Sequence, residues 1–227
     1  MNIEIFISGF LYLLILVLQI VMAIFGYILE PMPKHYETDV KLQNINKDPK
    51  KFKIGIIFAL IEHFCVIILP IMLFIAFNHY NIILGIIWMI FRIIEGSTQV
   101  YIENDYWRLL NISKNYSINS ETEKSSLFNS YRNIIQKKSS RFAFAMICWS
   151  IGTLTFSIVL VTYGVAPSFI GWLGIVASIL IGFSNLIKLV KPKFKAYQLL
   201  SSFAGLLSIV FEVLIGGWLL WYSFMIP

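Results

Sequence analysis

Four charged side chains stand inside long apolar runs: Glu62, Arg92, Glu95 and Glu212, with His63 beside the first. A charged group left alone at the centre of a membrane-spanning helix costs at least about 2.5–3.5 kcal/mol. Residues of these types in such runs therefore call for partners or a ligand. Arg92, Glu95, Gln99 and Glu103 follow one another at intervals of three, four and four. At about 100° per residue of helix they fall within an arc of roughly 80°, a single polar stripe. Arg92 and Glu95 can pair on that stripe, and Gly96 beside it would admit a neighbouring helix at close range. Arg92, Glu95, Glu62, Glu212, Gln99 and His63 are the candidate ligand or proton site.

The chemistry open to such a set is limited. Glu62, Glu95 and Glu212 against Arg92 leave a formal charge of −2, a deficit that protons on Glu62 or Glu212 would relieve. A buried guanidinium among carboxylates can hold an anionic or polar group, or pass a proton. The plainer reading is a buried ion pair that fixes helix register, with Glu212 reaching toward the nearer surface and His63 hydrogen-bonded in the bundle. Nothing indicates a metal or another cofactor. Glu62, His63 and Cys65 are close in sequence, but consecutive helix positions point about 100° apart. His35 and His79 lie in connections, and no serine has a recognisable base partner. No phosphate loop, nucleotide fingerprint or nucleic-acid module is present. No catalytic residue is assigned, and an enzyme is the less favoured class.

The elements that must position these residues are six long apolar segments. The chain has 227 residues, of which 58% are hydrophobic and only 13% charged, against about 25% charged in soluble domains. A spanning helix needs about 20 apolar residues. Segments 5–29, 54–77, 82–101, 142–163, 170–189 and 197–224 qualify, giving an all-α, polytopic transmembrane bundle in one domain over 1–227. Seventeen of the eighteen lysines and arginines fall in the first, third and fifth connections, and Arg92 is the exception. The positive-inside rule places those connections in the cytoplasm, and both termini outside. The N-terminal segment has no basic region before it and reads as a retained helix rather than a cleaved signal. Cys65 and Cys148, both in apolar runs, are expected to be reduced. In the third connection Ser120 and Glu123 fit a capping box. Leu127, Phe128, Tyr131, Ile134 and Ile135 follow at helical spacing, which predicts an amphipathic helix over about 121–138 on the inner membrane surface. By helical rise Arg92 lies near mid-bilayer, Glu62 and Glu95 roughly 10–12 Å from the inner boundary, and Glu212 in the outer half.

Four stretches carry a resemblance: Gly9-Phe-Leu-Tyr-Leu13, Phe91-Arg-Ile-Ile-Glu95-Gly96, Ala166-Pro-Ser-Phe-Ile-Gly-Trp-Leu-Gly174, and Phe211-Glu-Val-Leu-Ile-Gly-Gly-Trp-Leu-Leu220. In this order they resemble a family of prokaryotic multi-pass membrane proteins catalogued as a domain of unknown function. The resemblance implies six helices and draws attention to Arg92, Glu95 and Glu212; it implies no activity. The function expected is transport, or binding of a proton or a small polar or anionic ligand. A non-catalytic membrane partner or lipid sensor is the alternative, and a lipid-modifying enzyme comes third. Membrane lipids are the expected partners, and no nucleic acid is expected. Because opposite charge biases would invert the topology, alkaline phosphatase fused after Phe224 is expected to be active. The same fusion after Lys114 should be inactive, and the reverse pattern in a fusion assay would refute the orientation.

Overall fold

A computed structural model describes residues 1–25, 42–116, 121–191 and 196–225. The described residues form six long helices and no strand: α1 Ile3–Ile24, α2 Pro49–Phe77, α3 Ile82–Tyr116, α4 Glu121–Tyr163, α5 Ser168–Val190 and α6 Ala196–Met225. Each is long and apolar enough to cross a bilayer, so the chain is a multi-pass membrane protein. Local chemistry sets several boundaries. Asn2 caps α1 by accepting from the Ile5 N–H at 3.1 Å, and Asp48 caps α2 from the Lys51 N–H at 3.0 Å with Pro49 at the first position. Both oxygens satisfy donors that a helix start leaves open. Gly164 takes φ of +64° between α4 and α5, a region where a Cβ would be strained. That turn is held by the Trp218 indole, which donates to the Val165 carbonyl at 3.1 Å.

Each helix packs against its neighbours in sequence, and α1 closes the circle on α6. The result is a ring of six helices with an interior. Outward faces carry the side chains that lipid must solvate, such as Val17 and Ile20 of α1, Ile83 and Ile90 of α3, and Leu199 and Phe203 of α6. At the half away from the lysine-rich connections, the interior is filled. Phe77, Trp88, Phe156, Leu160, Phe211, Ile215 and Leu219 form one buried apolar cluster there. α1 and α6 meet backbone to backbone in this half: a Cβ on Gly9 would lie 2.7 Å from the Leu220 nitrogen, and one on Gly216 would lie 2.9 Å from Tyr12 Cβ. Glycine on both sides permits that approach.

Two helices outrun the bilayer. With 35 and 43 residues, α3 and α4 would be about 52 and 64 Å long, against a hydrocarbon core of about 30 Å. Their surplus lies at the lysine-rich end. There Ile102, Tyr106, Leu109 and Leu110 of α3 pack against Tyr131 and Ile135 of α4 and against Leu42, Phe52 and Ile56. Residues 121–138 are thus helical, but they are the opening turns of α4 and not a separate helix on the membrane. Their apolar face is taken up by α3. Ser120 lies outside the described residues, as does the side chain of Glu123. Asp105 and Arg141 tie α3 to α4 at 2.5 Å, and buried Lys138 donates to the Tyr106 hydroxyl at 2.9 Å.

The glycine seam yields a test. Gly216→Val would force α1 away from α6, and overpacking of this kind costs about 1–3 kcal/mol. Gly217 faces open space, with nothing described within 4 Å of its would-be Cβ. Thermal unfolding in detergent is expected to show a lower midpoint for Gly216→Val and an unchanged one for Gly217→Val.

Candidate functional site

The half of the ring nearer the lysine-rich connections is hollow. A cavity of about 440 Å³ lies there, and all six helices line it. Every residue singled out from the sequence faces it: Glu62 and His63 from α2, Arg92, Glu95 and Gln99 from α3, and Glu212 from α6. The polar stripe of α3 therefore points inward, and Glu103 extends it. α2 comes close to α3 at Gly96, where a Cβ would lie 2.6 Å from Ile67 Cγ1.

Two polar groups divide the cavity. In the first, Arg92 Nη1 lies 2.7 Å from Glu95 Oε2, and Gln99 donates to Glu95 Oε1 at 3.3 Å. Both members of the ion pair are more than nine-tenths buried. The pair is held by charge and distance without hydrogen-bond alignment, so Glu95 Oε2 accepts no hydrogen bond among the described residues. Trp149 of α4 joins this group to Glu212. Its ring lies 5.8 Å from the Arg92 guanidinium carbon, and its indole N–H donates to Glu212 Oε1 at 3.2 Å. A cation over an indole face is an attractive contact. Gly152 makes room for it, since a Cβ there would lie 2.6 Å from Arg92 Cγ.

The second group is built on His63. Its Nδ1 meets Glu62 Oε2, and its Nε2 lies 3.0 Å from Glu103 Oε1. Gln19 of α1 donates to Glu62 Oε1 at 3.1 Å. The imidazole thus bridges two carboxylates on its opposite edges. Carboxylates so placed cannot converge on one ion, and among the described residues no three His, Cys, Asp or Glu side chains are set to hold a metal.

Glu212 takes the place that the candidate site assigns it, and the plainer reading of it fails. It does not reach outward; it lies in the same cavity as Arg92, bound to Trp149. Trp149 is the group that links the two residues, with its ring 5.8 Å from the Arg92 guanidinium carbon and its N–H on Glu212. Sequence reasoning missed Gln19, Trp149, Asn185 and Lys188 as lining residues. Gln19 and Asn185 are amides at spanning depth, a type that seeks partners in a bundle, and that signal could have found them. Trp149 carried none, because an indole in an apolar run looks like packing.

The cavity combines Glu62, Glu95, Glu103 and Glu212 with Arg92 and Lys188. Its acidic excess suits a cation or protons more than an anion, because the guanidinium is already matched by Glu95. Removing the arginine alone should be costly. A buried charge stripped of its partner destabilises by about 3–5 kcal/mol. Unfolding in detergent is expected to show a large loss for Arg92→Ala and recovery of part of it in Arg92→Ala/Glu95→Gln. Additive losses would mean that the two side chains do not depend on each other.

No curated protein and no solved structure matches this chain. Residues 7–222, nearly its whole length, match the family described as "Domain of unknown function (DUF4386)", and the chain belongs to that family.

Proposed function

We propose that the protein is a carrier or binding protein of the membrane, with the cavity as its site and a small cationic or polar solute, exchanged against protons, as its ligand. The observation that supports this reading most is the convergence of residues from all six helices on one cavity with more carboxylates than cations. Dispersed charges would have suggested helix pairing alone. A cavity of this size also falls in the range of small-molecule sites, about 300–1,000 Å³. The apolar plug at one end and the hollow at the other are what a carrier exposed to one side would need. In the orientation set by the lysine-rich connections, that side is the cytoplasm of a cell membrane.

A second reading is a non-catalytic partner protein. It is favoured by the α3–α4 hairpin, whose own apolar core lies at the lysine-rich end. That platform is compatible with a binding site deeper in the bundle.

The exchange of ligand against protons can be read directly. Tetramethylammonium or tetraphenylphosphonium is added to weakly buffered protein in nanodiscs, with a pH dye in solution. Proton release is expected from at least one of the two probes, and its loss in Glu95→Gln/Glu212→Gln. If neither cation releases protons, the reading fails.

A further inference from the structure

The ring has a seam. Gly205, Ile209, Glu212 and Gly216 of α6 fall on one face, within an arc of about 60°. At Gly216 that face presses on α1, as the close approach to Tyr12 shows. Nearer the lysine-rich end the contact is lost. Among the described residues nothing lies within 4 Å of a would-be Cβ on Gly205, although Gly205 lines the cavity. Ile209 lines the cavity yet is 48% exposed. The same change occurs on α1: Tyr12 is buried, while Gln19, two turns further along, is exposed and lines the cavity. α1 and α6 are therefore pinned at one end, and toward the other leave a gap at Gly205, along which the cavity residues Gln19 and Ile209 are exposed.

That surface is apolar. Ile20 on α1 and Leu206 on α6 border the seam and are exposed, and Phe203 and Val210 continue the exposed apolar face of α6. Gly205 and Ile209 lie about 14–20 Å along α6 from its lysine-rich end, a depth of hydrocarbon and not of water. The lining changes character across the cavity. Ile15, Met22, Met146, Ile181 and Ile209 offer apolar surface toward the seam and the α4–α5 side, while the carboxylates lie deeper on α2, α3 and α6.

Glu212 completes the site. Its hydrogen-bond partner is the neutral Trp149 indole. Among the described residues no lysine, arginine or histidine pairs with it, whereas Glu95 has Arg92 and Glu62 has His63. A carboxylate at bilayer depth without its own cation, held only by a neutral indole, is a place for a positive charge brought by a ligand.

We infer that the cavity takes a cationic amphiphile, a lipophilic amine or onium compound, which enters sideways from the bilayer between α1 and α6 and sets its charge against Glu212. This rests on the cation-binding reading above and adds the ligand class and its route. An amphiphile fits both the mixed lining and the lipid-facing gap, where a water-soluble cation would gain from neither.

The test compares radiolabelled tetraphenylphosphonium with tetramethylammonium, binding each to protein in nanodiscs with empty nanodiscs subtracted. The aromatic cation is expected to bind tenfold or more tightly than tetramethylammonium, a difference of about 1.4 kcal/mol. Glu212→Gln should weaken tetraphenylphosphonium binding tenfold or more, and unaltered binding in that variant would overturn the placement of the charge. Gly205→Trp, which fills the gap, should weaken tetraphenylphosphonium tenfold or slow its binding to the same degree while leaving its unfolding midpoint unchanged. Gly217→Trp, on the lipid face away from the cavity, should behave as the parent protein. Equal affinity for the two cations, or unaltered tetraphenylphosphonium binding and kinetics in Gly205→Trp, would overturn the inference. Proton release by tetramethylammonium could persist in that case, leaving the broader reading standing. Absence of release by either cation would remove both.

Discussion

A full positive charge in the middle of an apolar helix must be answered within reach of its own side chain. Arg92 imposes that constraint, and much of the inner half of the bundle follows from it. Glu95 answers the charge from one turn away. Trp149 of α4 supplies an aromatic face, and Gly152 gives the arginine stem its space. Each contact also fixes a helix: Arg92 orients α3, and Gly152 and Trp149 hold α4 against it. Glu212 then binds the same indole from α6. An arrangement of this kind is expensive to assemble, because burying a charge pair offsets much of its own attraction. It is stable only if the surrounding packing is good. The large apolar cluster in the opposite half of the ring supplies that packing.

The two halves therefore have different physical roles. One is dense and apolar, closed by aromatic rings and by helices in backbone contact through Gly9 and Gly216. The other is hollow and polar, with its helices spread around a cavity. The dense half can hold the fold while the hollow half keeps its polar groups around a cavity. At the lysine-rich end the ring is tied again by the α3–α4 hairpin, through Asp105 with Arg141 and Lys138 with Tyr106. The seam between α1 and α6 is tied at the other end, where the Asn2 N–H donates to the Ser223 carbonyl at 3.0 Å.

Much of this was legible in the sequence because bilayers impose simple rules. Apolar length identified six spans, and the spacing of Arg92, Glu95, Gln99 and Glu103 marked the inward face of α3. Gly96 marked a close crossing. What remained hidden depended on how helices are arranged around the ring. Depth along a helix says nothing of which neighbour it meets, so the Trp149 indole that links Glu212 to Arg92 was not foreseen. His63 and Glu103 are forty residues apart, and only the crossing of α2 and α3 makes them partners. The apolar face of residues 121–138 was visible, but an apolar stripe fits a membrane surface and a helix partner equally well. Its actual partner, the extension of α3, was obscured because that extension is too polar to resemble a span.

The balance of charge bears on which ligand the cavity suits. An anion would have to compete with Glu95 for Arg92 and approach past Glu62, Glu103 and Glu212. In a medium of low dielectric each of those repulsions is stronger than it would be in water. A cation or a proton meets the opposite field. The arginine does not cancel that preference, because its Nη1 already lies 2.7 Å from Glu95 Oε2. Arg92, the one basic residue outside the charged connections, is matched by a carboxylate of its own helix and holds α3 to α4 through Trp149 and Gly152.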